Sequence, residues 1–501
     1  MQDASESVKI TYAKNINQFN INTTINVPVD NKVGIKTILD VKSYFYDEKL
    51  ECVNGKATIT GKIGVNILYI DTDNITNTIT DSQSFSESFL DSAISSDSHI
   101  DISNHYISNN ITTTENSIHI ECEVSISPVL YMNIALPSNT SYENMFVKKT
   151  EIETSSIVNF VNTNFDYTLN FETKDNISKL LNHDAYLCIE KTTAFDDCVL
   201  LEGKIYSKLL YEETKGEETV IKELCDTFNL KSELDISVGK DAKLDLSFAL
   251  DKSKEIINTE IEDDNHIVTI TQNIKVKGCC MKNISLELVD DIYSTDNELE
   301  LSTIEREYNK IIRTETHSAN ISNEIQLLDN ETAIDEIISN LDMSPEITNT
   351  YIKDERLTLE GLIVSHFVYI DENKEIKQRK IEIPFVVNTN TELKKLDCVH
   401  NSINILDCKV KSKRGTIIDI NYEIMVNSCI YETDNKEIVD NITIGKALDY
   451  SEYDYQIFIA KPNETMWELC KRIKISPEEI EKHNKNLPSI MLGGEKIIIK
   501  R

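Results

Sequence analysis

The chain has 501 residues, too many for one hydrophobic core and enough for three or four domains. Its 40% apolar and 27% charged residues are those of a globular protein. Its 51 basic against 85 acidic residues, a net charge of −34, exclude a nucleic-acid binder, which phosphate would repel.

In chain order, three stretches follow one template. The first opens on GIKTILD around Ile38, read as one or two helical turns, and continues as ATITGKIGVNILYIDTDN around Gly61. The second has ISKLLN around Leu180, then VLLEGKIYSKLLYEETKG around Gly203. The third has AIDEIIS around Ile338, then LTLEGLIVSHFVYIDENK around Gly361. A tyrosine follows each glycine by eight residues: Tyr69, Tyr211 and Tyr369. Apolar residues recur four and two before the glycine, and two and six after it. They are Ala57, Ile59, Ile63 and Ile67, then Val199, Leu201, Ile205 and Leu209, then Leu357, Leu359, Ile363 and Phe367.

These positions share one face of a strand of period two. A glycine in mid-strand is costly unless another backbone comes close or the strand bulges. Asp71-Thr72-Asp73-Asn74 and Asp371-Glu372-Asn373 read as hairpin turns. An aromatic closes each copy at Phe85, Phe228 and Phe385, and later strands are expected at 117–127, 267–277 and 416–426. The repeated glycines and tyrosines are read as packing positions rather than an active site. The fold expected is mainly β: three tandem, sandwich-like β-rich repeat domains at 1–142, 143–300 and 301–450, with a small βααβ module at 454–501.

That module is compositionally distinct. Residues 456–501 hold nine basic and six acidic residues, a net of +3, whereas the remainder has 42 basic and 79 acidic. Tyr455–Ile459 reads as a strand, and Lys461-Pro462-Asn463-Glu464 as a turn. Met466, Leu469, Cys470 and Ile473 form a helical stripe. Ser476, Pro477 and Glu479 start a second helix as N-cap, first-turn proline and third-position acid. Pro488 ends the helical region, and 496–499 forms the closing strand. Trp467, the lone tryptophan, is read as a core residue.

Catalytic and metal chemistry find little purchase. The eleven cysteines contain no C-x-x-C and are read as buried thiols. Adjacent Cys279 and Cys280 should face opposite sides of a strand. No histidine pair has ligand spacing, and phosphate-cradling glycine loops and nucleophile-elbow motifs are absent. The acid pairs Glu217-Glu218, Asp263-Asp264 and Asp290-Asp291 read as solvated faces and turns. No enzyme activity, metal or cofactor is expected. No run of ~18 apolar residues that could span a membrane is seen, and the opening residues lack a basic and apolar leader. A chain that starts in the cytoplasm and is not secreted is expected.

The tail resembles a LysM module at Thr465, Trp467, Ser476, Glu479, Asn484, Leu492, Gly494 and Ile497 to Ile499, with Asn463-Glu464 where the family has Gly-Asp. The resemblance implies a groove for N-acetylglucosamine glycans, or for a partner protein, at Asn463, Glu464, Thr465, Pro488, Ser489, Ile490 and Met491. The segment LTLEGLIVSHFVYIDENKEIKQRKIEIPF resembles the SPOCS domain of spore-coat proteins, its terminal Pro384-Phe385 included. The chain thus resembles the SipL-like spore-coat morphogenetic proteins, which combine SPOCS domains with a LysM module. That resemblance implies a non-catalytic protein at the forespore surface, in the mother-cell cytoplasm, that binds the SpoIVA-like ATPase of the coat basement layer. Peptidoglycan binding through the LysM module is the alternative.

Overall fold

The computed structural model describes residues 9–29, 34–96, 98–102, 105–114, 117–135, 144–216, 218–262, 265–327, 331–393, 398–449 and 455–500. The expected limits at 1, 142, 143, 450 and 454 lie outside the described residues, as do Glu217, Asp263, Asp264 and Arg501. The chain is mainly β, and among the described residues there are two short helices, both in the tail.

The first stretch holds β1 (Lys9–Asn15), β2 (Phe19–Pro28), β3 (Ile35–Val53), β4 (Lys56–Asp71) and β5 (Thr76–Leu90). β6 (His99–Asp101), β7 (His105–Thr114), β8 (Ser117–Ile126) and β9 (Val129–Ala135) follow. β3-β4-β5 is an antiparallel meander. β2-β8-β7 forms a second sheet, continued by β1-β9-β6. The second stretch holds β10 (Met145–Thr173), β11 (Ile177–Ala194), β12 (Val199–Lys215), β13 (Glu218–Leu234), β14 (Lys243–Glu262) and β15 (Asn265–Ser294). Its sheets are β11-β12-β13 and β10-β15-β14. The third holds β16 (Asn297–Gln326), β17 (Ile334–Lys353), β18 (Arg356–Asp371), β19 (Ile376–Glu392), β20 (Cys398–Lys413) and β21 (Ile417–Ala447). Its sheets are β17-β18-β19 and β16-β21-β20. Strand order is therefore the same in all three. The expected 300/301 limit falls within β16.

In each stretch the two sheets bury their alternating apolar faces against each other. The repeated apolar positions of the meander's central strand are all buried, and Cys280 faces the same core in the second stretch. Cys279 faces the other way, toward Tyr131, Met281, Ile311, Cys429 and Tyr431.

The helical turns expected at Ile38, Leu180 and Ile338 are instead strand. β3, β11 and β17 each carry a β-bulge, with register slips between Ile38 and Asp40, Leu180 and Asn182, and Ile337 and Ser339. Adjacent apolar residues of a strand face opposite sides, and the extra residue of a bulge shifts the phase of the alternation, so the apolar run imitates a helical stripe. Ile38, Leu180 and Ile337 pack on their own cores. Ile337, not Ile338, is thus the third repeat-equivalent. The extra residues Leu39, Leu181 and Ile338 point outward and meet in one cluster with Leu68, Leu210 and Val368. Leu68, Leu210 and Val368 stand seven residues past each repeated glycine.

Equivalent residues from all three stretches therefore share a second core. The contacts around it run in a cycle: β5 meets β11, β13 meets β17, and β19 meets β3. The three stretches close into a ring with three seams.

Candidate functional site

The tail forms β22 (Tyr455–Ile459), α1 (Met466–Ile473), α2 (Pro477–His483) and β23 (Lys496–Lys500), with β22 antiparallel to β23. Thr465 caps α1 in a capping box with Glu468, and Ser476 caps α2 with Pro477 behind it. Leu469, Cys470, Ile473, Ile480, Met491, Ile497 and Ile499 form the knob's core.

The two predicted groove segments come together. The Asn463 N–H donates to the Met491 carbonyl at 2.9 Å, and the Met491 N–H donates to the Glu464 carbonyl at 2.8 Å. Thr465 and Ile490 form a β-bridge. Asn463, Pro488, Ser489 and Ile490 are exposed, Thr465 is half-buried, and Glu464 and Met491 are buried. Asn463 has φ of 62°, the left-handed conformation that asparagine tolerates best after glycine. Glu464 is withdrawn from the surface by a two-pronged pairing: Arg472 Nε donates to Oε1 at 2.6 Å and Nη2 to Oε2 at 2.8 Å. The Arg472 bond holds its carboxyl below the usual range despite burial. Beyond Ile490, Leu492 is 86% exposed, so the tip is apolar as well as polar.

The knob is seated on the second stretch through residues of α1 and the turn after it. Trp467 Nε1 donates to Asp291 Oδ2 at 2.8 Å and Lys471 Nζ donates to Asp291 Oδ1 at 2.6 Å. The Tyr293 hydroxyl donates to the Ile475 carbonyl at 2.8 Å. The Tyr293 ring meets Trp467 edge-on at 5.1 Å and stacks on Phe146 at 5.2 Å. Burial pushes Asp291 up, but the bonds from Lys471 and Trp467 outweigh it and leave its carboxyl below the ordinary range. Trp467 is partly buried at this seat. Sequence reasoning missed Asp291 and Tyr293. By sequence Asp291 reads as a solvated acid, and only its place across from a cationic helix reveals its partner.

The repeated glycines and tyrosines do not join the tip. Gly61, Gly203 and Gly361 lie in β4, β12 and β18, and Tyr69, Tyr211 and Tyr369 are buried eight residues on. A Cβ at Gly203 would lie 2.2 Å from the Cys188 carbonyl, and one at Gly361 2.2 Å from both the Glu346 carbonyl and Phe385. Phe85 and Phe385 sit directly across from Gly61 and Gly361. Phe228 does not repeat this: it faces Ile205, and Leu230 lies across from Gly203. Asp71 and Asp371 close the hairpins by accepting backbone N–H groups two and four residues on.

Among the described residues no cluster of three His, Cys, Asp or Glu is arranged to hold a metal, and no helix is long and apolar enough to cross a membrane. Comparison with family models, curated proteins and solved structures finds no match to this chain.

Proposed function

We propose that this is a non-catalytic spore-envelope assembly protein. In this reading three SPOCS-like β-sandwich domains form an acidic trunk, and a LysM knob docks to the SpoIVA-like ATPase of the coat basement layer. The protein works at the forespore surface, in the mother-cell cytoplasm, and helps localise coat there. The observation that carries the reading is the knob's two-sidedness. One side is fixed to the trunk through Asp291 and Tyr293, while the paired loops turn Ile490 and Leu492 to solvent. Exposed apolar side chains rimmed by polar ones are the usual core of a docking patch. The polar members of the same tip, Asn463 and Ser489, favour a second reading, binding of peptidoglycan through N-acetylglucosamine.

One experiment separates them. Full-length protein and its Ile490→Asp/Leu492→Asp variant are tested for co-purification with the ATPase and for sedimentation with insoluble peptidoglycan. The docking reading expects co-purification, lost in the variant by about tenfold or more, and protein left in the supernatant. Co-purification untouched by the variant sinks the docking role of the tip. Sedimentation abolished by the variant establishes the glycan reading.

A further inference from the structure

The seams between stretches should be equivalent, and one is not. At each seam the side chain five residues past the repeated glycine reaches across to the next stretch. At the first, Asn66 donates to the side-chain amide oxygen of Asn182 at 3.3 Å. At the third, His366 Nδ1 faces the Asp40 carboxylate at 3.5 Å. At the second the residue is Lys208, only 4% exposed, whose Nζ donates to the Asn340 main-chain carbonyl at 3.0 Å. An ammonium has three donors, and this carbonyl is its one hydrogen-bond acceptor among the described residues. The Tyr206 ring lies 5.5 Å away, a cation–π contact that stabilises without neutralising. A buried cation without a paired anion is costly.

This seam also opens into a cleft of about 480 Å³ whose lining includes Lys208, within the size range of small-ligand sites. The acids in its wall are already engaged. Glu223 accepts from Ser339 and from the Cys225 thiol, Asp226 from the Thr227 N–H, and Asp407 pairs with Lys409 at 2.9 Å. Lys411, on the same wall, has no ion-pair partner among the described residues. The wall as a whole is balanced, three lysines against three carboxylates, so the demand for a counter-charge is local to Lys208, the one lysine of the wall that is buried and has no carboxylate partner among the described residues.

We propose that the cleft between the second and third stretches binds a small anion, carboxylate or phosphate, with Lys208 as its anchoring cation and Lys411 at the rim. Bound there, the anion supplies the counter-charge that Lys208 lacks and bridges β12 to β20. The site is independent of the knob and of the docking reading.

The test is calorimetric titration of the full chain with inorganic phosphate and, separately, with malonate, at ionic strength held constant with chloride. The expected result is saturable binding of at least one, weakened at least about tenfold by Lys208→Met, retained by Lys208→Arg and reduced by Lys411→Ala. Which probe binds assigns the anion class. Should Lys208→Met fail to fold, the Lys208→Arg and Lys411→Ala comparison still decides. Binding of neither probe, or binding equally strong in all folded variants, overturns the site.

Discussion

At Gly203 a hydrogen atom stands where a side chain would strike backbone: a Cβ would lie 2.2 Å from the Cys188 oxygen and 2.9 Å from the Ile189 Cα. Rigid backbone cannot yield as a side chain can. Gly203→Ala should therefore cost about 1–3 kcal/mol, seen as a lowered denaturant midpoint. At Gly61 the nearest atoms are at 3.0 Å and belong to the Phe85 ring, so Gly61→Ala should cost clearly less. Equal losses would contradict the bulge geometry. From their place in apolar strands these glycines call for a close neighbouring backbone or a bulge, and that much was legible. Whether the obstacle was carbonyl or ring was not, because it depends on where β3, β11 and β17 slip register.

At the scale of the element, Thr465 belongs to both the predicted groove and the cap of α1. Thr465→Ala should cost about 0.5–2 kcal/mol of knob stability, and Thr465→Ser should restore most of it, by thermal melts followed through Trp467 fluorescence. A loss that serine fails to restore would assign Thr465 to something other than capping. The knob's seat responds to acid. The Asp291 carboxyl is depressed in the folded chain, so its contribution is present above the unfolded value near ~3.9 and is lost as pH falls through the lower folded value. Trp467 emission should thus shift below about pH 4, and in Asp291→Asn that transition should vanish. A transition unchanged in the variant would place its origin elsewhere. The helical stripes and caps of α1 and α2 were readable locally, since caps and helix partners lie three or four residues apart. The seat was not, because Asp291 and Trp467 are 176 residues apart.

For the whole molecule, the sequence displayed the inner face of each central strand but concealed how the stretches meet. The positions that build the shared cluster, Leu68, Leu210 and Val368, lie on the opposite face of those strands. The bulge residues Leu39, Leu181 and Ile338 follow no fixed period. The same bulge explains both the mistaken helical turns and the way the ring closes. Joining three acidic stretches on a common apolar axis gives a stiff trunk, on which the basic knob is held at a fixed site.

Hydrogen–deuterium exchange of the Leu210→Ala variant tests this shared axis most directly. A cavity at a core leucine costs about 2–5 kcal/mol. Because Leu210 packs with residues of the first and third stretches, exchange should quicken in β4 and β18 as well as in β12. Exchange that quickens only within the second stretch would show three independent sandwiches and no common core.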